Sequence, residues 1–324
     1  MNPLFDADFY RRRLALPQGR VQAVIDTDAA NEIDDQFAIA WALLSPESIE
    51  LLGLYAGPFS FAHRRAQLPG APADAPPFNP PQVGMERSYA EILRVCELTG
   101  RHPQGLAFRG YPGYLPQQGA PQSCDAVGHL IATARAMPQD APLYVLALGC
   151  PTNVAAALLL APDIAQRIVV VWTSGYPSHA PHVNDSFNLE QDLRASRVLL
   201  DSGVPLVYLP GFHVGAQLRL SLAEADRHLK GRGALGDALH RLFTDNPLWT
   251  LYPDAAREPY SWVIWDLICI AWLIDPAWVP STLVDTPGLD DERRWVRLAG
   301  RHPMREAHAV QRDDIFRDLF ARLQ

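Results

Sequence analysis

The chain has 324 residues, of which 48% are hydrophobic and 20% charged, so it can bury a large core and has the composition of a globular enzyme. Its formal net charge of −8 argues against nucleic acid and anionic membrane as partners. Four dispersed cysteines without a CxxC pair predict reduced thiols and a cytoplasmic location, and the N-terminus lacks a signal-peptide pattern. The longest apolar run, residues 262–274, is too short to span a bilayer.

The first predicted elements form a strand–helix–strand unit after an N-terminal arm at residues 1–19. Residues 21–25, VQAVI, are apolar and partly β-branched, which predicts a buried strand. Apolar side chains then recur on one helical face from Ile33 onward, and Pro46 ends that helix. The run IELLGLYA at 49–56 predicts a second strand, which should lie parallel to the first.

Residues 69–82, PGAPADAPPFNPPQ, are the one low-complexity stretch of the sequence. Proline at this density predicts neither a helix nor a central strand. Two interpretations stay open for the segment. It is either a plain surface loop or a lid over a binding site, since long ordered loops are often functional.

The rest of the chain alternates between apolar strands and helical patterns without a break in composition. This alternation predicts a single α/β domain over residues 1–324, with a mostly parallel central sheet and helices on both faces. Strands are predicted at 143–148, 168–172 and 204–209, helices at 85–100, 154–160, 194–202, 222–230 and 235–243, a buried helix at 261–274, and a final strand and helix within 300–323.

Acidic residues crowd together directly after the first predicted strand. Asp26, Asp28, Asp34 and Asp35, with Glu32 among them, fall within ten residues. Two acids at a helix start could serve only to cap it and complement its dipole. A cluster of this density repels itself unless a hard cation lies among the oxygens. We therefore predict half of a divalent-metal site here, where ligands of parallel sheets usually bind.

Two further segments supply candidate ligands for the same site. Asp266 is the one charged residue in the apolar run 262–274, and a buried carboxylate needs either an arginine or a metal as partner. Thr152 follows the predicted strand at 143–148 and could offer its carbonyl or hydroxyl, although a threonine there is also a common helix cap. Oxygen ligands without His or Cys indicate Ca²⁺ or Mg²⁺.

Four segments, taken together, resemble the motifs of the nucleoside hydrolase family, the inosine–uridine-preferring N-ribohydrolases. They occur in the family's order along most of the chain. These segments are DTDAANEIDD (26–35), ALGCPTN (147–153), SFNLEQD (186–192) and IWD (264–266).

The resemblance implies a Rossmann-like α/β fold and a Ca²⁺-dependent hydrolase that cleaves the N-glycosidic bond of a ribonucleoside or related N-riboside. It further implies purine or pyrimidine salvage and a homo-oligomer, either a dimer or a tetramer. In this family a metal-activated water attacks the anomeric carbon through an oxocarbenium-like state. By motif position, the resemblance makes Asp28 both general base and ligand, Asp35, Thr152 and Asp266 the other ligands, Asp34 and Asn188 sugar contacts, and Asp26 a support for the ligands.

The sequence departs from the family pattern at four places, of which the last is that the Asn expected after the second strand is not obvious in residues 55–63. Two extra residues lie between Asp28 and Asp34, so Asn31 or Glu32 is expected to enter the site. Ser186 stands where the family has a glutamate that contacts the sugar. We expect Glu190, Asn184 or Asp185 to replace that contact.

The third departure concerns the leaving group. Trp265 stands where many members have a histidine that assists the departing base. Tryptophan cannot donate a proton at neutral pH, but it can stack on a base. Four histidines in predicted loops could supply the missing acid, although each is more simply a solvated surface residue: His63, His179, His182 and His213.

Two other functions compete with the hydrolase interpretation. A ribose- or nucleoside-binding protein could keep the metal without turnover. A haloacid-dehalogenase-like phosphatase also begins with Asp-x-Asp after a strand. That family needs Thr or Val where Ala30 stands and a later basic residue near an acidic pair, for which Lys230 is a poor candidate.

Overall fold

The fold is seen in a computed structural model, which describes residues 5–255, 257 and 260–323. The first four residues of the predicted arm and the last residue of the predicted domain therefore lie outside the described residues. The strands are β1 (Val21–Thr27), β2 (Ile49–Ala56), β3 (Ala107–Arg109), β4 (Leu143–Ala147), β5 (Ile168–Ser174), β6 (Leu206–Pro210), β7 (Arg219–Ser221), β8 (Ser261–Val263), β9 (Ser281–Asp285), β10 (Gly288–Leu289), β11 (Trp295–Val296) and β12 (Pro303–Ala307).

Helices connect most of the sheet strands. They are α1 (Ala7–Arg13), α2 (Asp34–Leu43), α3 (Pro81–Leu98), α4 (Asp125–Ala136), α5 (Thr152–Leu160), α6 (Phe187–Glu190), α7 (Leu193–Asp201), α8 (Leu222–His228), α9 (Gly233–Thr244), α10 (Leu267–Ile274) and α11 (Arg312–Arg322). Short 3₁₀ helices lie at Ala62–Gln67, Pro76–Phe78, Pro162–Gln166, Gly215–Gln217, Pro247–Thr250 and Pro276–Trp278.

Eight strands form the central sheet in the order β3-β2-β1-β4-β5-β6-β12-β9. All neighbouring pairs are parallel except β12 with β9, so the predicted single α/β domain with a mostly parallel sheet is confirmed. The strand order changes direction between β1 and β4. In sheets of this kind, ligands bind beyond the carboxyl ends of the strands at such a point.

The core lies on both faces of the sheet. Alternate residues of β1 point to opposite faces, so Ala23 and Ile25 belong to one apolar cluster and Val24 to the other. The first cluster includes α2 and α10, and the second includes α5 and α7. Burial on both faces explains why the strands read as continuous apolar runs.

Two predicted helix starts differ most from the structure. Residues 261–263 form β8, which pairs with β7, and α10 begins only at Leu267, so the predicted helix over 261–274 is wrong in its first part. An apolar run of this length suits a strand and a buried helix equally. Asp266 consequently lies at the N-cap of α10 rather than inside a helix. Helix α3 begins at Pro81 instead of residue 85, because proline is tolerated in the first turn.

The N-terminal arm contains α1, whose Tyr10 is buried and donates a hydrogen bond to the carbonyl of Gly203 over 2.7 Å. The four cysteines are free thiols. Among the described residues, no helix has the length and apolar character needed to cross a membrane.

Candidate active site

A cavity of about 200 Å³ opens beyond the carboxyl ends of β1, β5 and β6. The first residues of α2 and the residue before α10 also reach it, so elements distant in sequence meet at this point. We call it the acidic cavity. It is lined by Asp28, Asn31, Glu32, Asp34, Asp35, Arg64, Leu148, Thr173, Ser174, Gly175, Asp185, Ser186, Phe187, Asn188, Gly211, Phe212, Trp265 and Asp266.

Three buried aspartates in this cavity can hold one metal ion together. Ligand atoms of Asp34, Asp35 and Asp266 lie within 4.8 Å of one another. The hydroxyl of Thr27 donates to Asp35, which fixes one carboxylate. Burial raises the pKa of Asp34 and Asp266 well above the usual range and that of Asp35 to about 6. Carboxylates in this state are stabilised by a hard cation.

Asp28 lies beside these three aspartates. Burial, and then the charge of Asp35, raises its pKa well above the usual range. Its Oδ2 accepts hydrogen bonds from Asn31 over 3.2 Å and Gln191 over 3.4 Å. A Cβ added to Gly149 would lie 2.7 Å from Asp28 Cγ, so only glycine leaves room for this side chain. Asp28, Asp34, Asp35 and Asp266 together are called the acidic floor.

The inserted loop between Asp28 and Asp34 does enter the site. Ala30 has φ +72°, an unusual conformation for a residue with a Cβ, and the following Asn31 bonds back to Asp28. Asn31 is buried, and its Oδ1 has no hydrogen-bond partner among the described residues. Glu32 also lines the cavity and accepts a bond from Trp262 over 3.2 Å. Burial raises the pKa of Glu32 to about 7.

Asp26 and Thr152 lie behind the acidic cavity and do not line it. Asp26 accepts a bond from Asn153 over 2.7 Å, and burial raises its pKa to about 7. The Thr152 hydroxyl donates to Asp192 over 2.6 Å. Its backbone carbonyl is therefore the oxygen that Thr152 could offer to a metal, and its role as a ligand stays a prediction.

The predicted sugar contacts are distributed unevenly. Asn188 lines the cavity, and its amide nitrogen donates to the carbonyls of Leu148 and Thr173, which leaves its Oδ1 available. Ser186 also lines it, with its hydroxyl 3.0 Å from that of Ser174. Asn184 does not line it. Its amide is engaged by the backbone of Tyr176 at 2.8 Å and Arg293 at 3.0 Å.

Glu190 lies next to the cavity within an ion-pair cluster. Arg64 Nε lies 2.5 Å from its Oε1, Arg293 contacts Oε2, and His63 Nε2 lies 3.0 Å from Oε1. Although burial raises the pKa of Glu190, hydrogen bonds and charge from His63 and Arg64 outweigh it and hold that pKa below the usual value. We call Arg64, Arg293, His63 and Glu190 the basic rim.

Arg64 is a cavity residue that the sequence analysis missed. It lies in the 3₁₀ helix Ala62–Gln67, within the stretch that follows the family pattern least, so no motif marked it. The neighbouring Pro-rich segment packs as a separate apolar cluster against Phe187, a lining residue. This packing places the segment at the edge of the cavity, as a lid would be. The cluster includes Phe59, Phe61, Leu68, Ala71, Ala75, Phe187, Leu248 and Leu251.

Aromatic side chains form another part of the cavity lining, which we call the aromatic wall. Trp265 lines the cavity, packs against Gly211 and Gly215, and meets Phe212 edge-on with 6.1 Å between ring centroids. Tyr176 extends the wall, with its centroid 4.6 Å from that of Phe212. Ring surfaces of this kind can stack on a planar base, and this role of Trp265 stays a prediction.

None of the four candidate histidines lines the acidic cavity. His182 and His213 pack on Tyr176, with centroids 4.6 and 5.2 Å away. His179 and His213 line a second cavity of about 750 Å³, and His63 belongs to the basic rim. The acid for the leaving group is therefore not identified among them by position.

Comparison with known protein families gives one match that covers more than half of the chain. The model of the inosine-uridine preferring nucleoside hydrolase family matches residues 80–313. The matched span contains the segments 147–153, 186–192 and 264–266. It begins after the acidic segment 26–35, where the insertion lies.

The curated relatives are distant. An uncharacterised protein of Schizosaccharomyces pombe is 31% identical over 203 residues, which cover 59% of this chain and 61% of that protein. The pyrimidine-specific ribonucleoside hydrolase RihB of Escherichia coli is 28% identical over 170 residues, which cover 51% of each chain. The matches therefore span between half and two thirds of these relatives.

A solved structure supports the fold over nearly the whole chain. The purine-preferring ribonucleoside hydrolase from Gardnerella vaginalis superposes with a TM-score of 0.72 at 22% sequence identity. The superposition covers 93% of this chain and 98% of that one. At 22% identity this likeness shows a shared fold only.

Proposed function

The chain belongs to the inosine-uridine preferring nucleoside hydrolase family, and we propose that it hydrolyses the N-glycosidic bond of a ribonucleoside or related N-riboside in a Ca²⁺-dependent reaction. The products are ribose and a free base. The observation that carries the proposal is the acidic floor, where three aspartates can hold one ion and Asp28 lies beside them.

The donor set fits Ca²⁺. The candidate ligands are oxygens only, and neither His nor Cys lines the cavity among the described residues. We propose Asp28, Asp35, Asp266 and the Thr152 carbonyl as ligands, and the position of Asp34 in the same cluster makes it a further oxygen donor. When bound, Ca²⁺ supplies a positive centre that holds sugar hydroxyls and increases the acidity of a water molecule.

The side chains of this cavity divide the remaining work. Asp28 accepts the proton of the attacking water as general base, while Asn31 and Gln191 hold its carboxylate in place. The water oxygen bonds to the anomeric carbon as the C–N bond breaks, and the bonding electron pair leaves with the base. Asp34 and Asn188 orient the ribose, and the carboxylates stabilise positive charge developing on the sugar.

The leaving group is expected against the aromatic wall. Trp265 and Phe212 offer ring surfaces on which a purine or pyrimidine can stack. The departing base must take up one proton, and Trp265 cannot donate it. This arrangement favours a base that departs readily without a strong protein acid.

One observation also favours a second function, the non-catalytic binding of ribose or a nucleoside. Trp265 replaces the histidine that assists the leaving group in the family, while the acidic floor is retained. A binder needs Asp28 only as a ligand, whereas an enzyme needs it as a base. The family match favours both of these functions over the phosphatase alternative. A cytoplasmic location, a dimer or tetramer, and a role in salvage stay predictions.

The experiment that tests the proposal is ribose release from a broad panel of ribonucleosides, with free base measured in the same reaction. We expect release of ribose and base in equal amounts from at least one substrate. EDTA should abolish the release, and added Ca²⁺ should restore it. Bound nucleoside without release from any member of the panel would support the binding function and contradict the hydrolase.

A further inference from the structure

We infer that the preferred substrate carries a phosphate on the 5′-carbon of its ribose and that Arg64 recognises this phosphate. The inference rests on the proposed function, because it concerns the sugar bound in the same cavity. It starts from a mismatch of charge. Among the described residues that line the acidic cavity, Arg64 is the one with a cationic side chain, and a neutral nucleoside offers no charge to pair with it.

The surroundings of Arg64 hold its guanidinium in a fixed orientation. Its Nε donates to Glu190 over 2.5 Å, and a terminal N–H donates to the backbone carbonyl of Asp185. The guanidinium also lies over the ring of Phe187, 5.2 Å from the centroid. Only two of its five N–H groups are used in these contacts. The others can form the paired hydrogen bonds that make arginine well suited to phosphate.

The basic rim contains more positive charge than Glu190 needs. One carboxylate, 7% exposed, contacts Arg64, Arg293 and His63. His63 Nδ1 lies 3.0 Å from the carbonyl of Ser60 and Nε2 lies 3.0 Å from Glu190, so both nitrogens face acceptors. The three basic side chains remain 24–35% exposed and accessible to a ligand. Asp185 is the other acidic residue beside Arg64, and it is exposed to solvent.

A second observation, at Ser186, also supports a phosphate beside Arg64. Ser186 stands where the family resemblance places a glutamate that contacts the sugar, and it directly follows Asp185, whose carbonyl binds Arg64. This part of the cavity therefore lacks the acid of the family pattern and contains the cation of Arg64. A carboxylate there would repel a phosphate, whereas a serine hydroxyl can donate to it.

The position of Arg64 and Ser186 indicates the 5′-end of the sugar. The acidic floor is the proposed site for the 2′- and 3′-hydroxyls, and its carboxylates would repel a phosphate. Arg64 and Ser186 belong to the wall built by the 3₁₀ helix Ala62–Gln67 and the segment before α6. A ribose seated on the floor can place its 5′-substituent against that wall.

The test compares each common ribonucleoside with its own 5′-monophosphate: adenosine, guanosine, cytidine and uridine. Base release gives kcat/KM for each, and ribose and ribose 5-phosphate are compared as inhibitors. For wild type we expect at least one monophosphate to exceed its nucleoside by about tenfold or more in kcat/KM, the size expected for a charge-assisted contact. Ribose 5-phosphate should inhibit more strongly than ribose.

Substitutions test whether Arg64 and Ser186 cause the preference for 5′-monophosphates. Arg64→Gln should remove most of the monophosphate preference, mainly through KM, and change the nucleoside far less. Arg64→Lys should lose part of the monophosphate preference, because lysine keeps the charge but lacks the planar pair of N–H donors of a guanidinium. Arg65→Gln, in the same 3₁₀ helix but outside the cavity lining, is the matched control and should keep the preference. Ser186→Glu should lower it by restoring an acid.

The outcomes separate this inference from the proposed function. Hydrolysis of nucleosides without any preference for monophosphates would overturn the inference and leave the hydrolase intact. An equal loss for both substrates in Arg64→Gln and Arg64→Lys would also overturn it. If no substrate is hydrolysed but ribose 5-phosphate binds in an Arg64-dependent way, the hydrolase fails and phosphate recognition stands. If neither is hydrolysed nor bound, both fail.

Discussion

The acidic floor and the basic rim lie at one cavity but treat their charges in opposite ways. On the floor, burial and mutual repulsion raise the pKa of Asp28 and its neighbours. On the rim, the Glu190 side chain is only 7% exposed, yet basic partners hold its pKa below the usual value. Basic side chains of the chain itself neutralise Glu190, whereas the floor can be neutralised only by a bound cation or by protons.

The contrast indicates that the floor, and not the rim, lowers the stability of the ligand-free fold. Paired charges can hold a loop in place without any bound group. Clustered unpaired acids destabilise a fold unless a metal or a proton neutralises them. Changes at the floor should therefore have large effects, whereas loss of one ion pair at the rim should have a small one.

Asp28→Asn should nearly abolish turnover while leaving nucleoside binding largely intact. The amide keeps an oxygen ligand but cannot accept a proton, so kcat should fall about 10²–10⁴-fold. Base release gives kcat, and calorimetry gives the nucleoside dissociation constant. Asp245→Asn, an exposed residue far along the chain, should behave as wild type. Unchanged kcat in Asp28→Asn would remove its assignment as base.

Metal removal should destabilise the floor in a pH-dependent way. Burial raises the folded-state pKa of Asp26 and Glu32 to about 7 and of Asp35 to about 6, above the usual values of 3.8–4.5 for these side chains. The folded chain therefore binds these protons more tightly than the unfolded chain. Their stabilising contribution is complete below about pH 4 and is lost as pH rises through about 7.

The corresponding measurement is Tm in EDTA and in Ca²⁺ at pH 5 and pH 8. With EDTA, we expect a Tm a few degrees lower at pH 8 than at pH 5, since each kcal/mol shifts Tm by roughly 1–2 °C in a chain of this size. Ca²⁺ should raise Tm more at pH 8 than at pH 5, so the Tm values at the two pH values should become more similar. Equal values with and without Ca²⁺ at pH 8 would mean that the floor does not bind the ion.

Trp265→His should increase turnover of nucleosides whose base needs protonation. The substitution places a proton donor within the aromatic wall. A well-positioned acid can increase the rate about 10²-fold, and we expect about tenfold from a donor whose position is not optimised. Trp265→Phe keeps a ring without the donor and serves as the control. If both variants lose activity equally, the Trp265 ring itself is required and proton supply does not limit the reaction.

Glu190→Gln should give the smallest effect, and on stability rather than chemistry. Removing the carboxylate leaves Arg64 and Arg293 without their shared partner and should lower the free energy of unfolding by about 1–3 kcal/mol. Thermal unfolding provides the measurement. Glu86→Gln, which breaks the exposed pair with Arg109, is the matched control and should change Tm little. A larger loss in the control would contradict the stabilising role of the rim.

The sequence predicted the sheet well, because strands and helices produce local apolar patterns, whereas the metal-binding role of the acidic floor stays a prediction. Apolar runs such as 49–56 became β2 without a change of boundary, and the acids after β1 meet Asp266 in one cavity. Asp266 was placed in a helix interior because an apolar run does not show where a strand ends and a helix begins.

The rim could not be predicted in the same way. Arg64 and Glu190 are 126 residues apart, and their pairing depends on how the Pro-rich segment packs on Phe187. No periodic pattern or motif encodes that contact. Glu190 was consequently expected to contact the sugar, whereas the structure shows it held by basic side chains.

The proposed role of the acidic floor is to hold a metal for N-riboside hydrolysis. Its most direct test is a Ca²⁺ titration of the metal-free protein, with ribose release measured on the same samples from a nucleoside that wild type cleaves. We predict that activity returns in proportion to one bound Ca²⁺ per chain and that Asp266→Asn weakens both binding and activity. Full ribose release from metal-free protein, or Ca²⁺ binding unaffected by Asp266→Asn, would contradict the account.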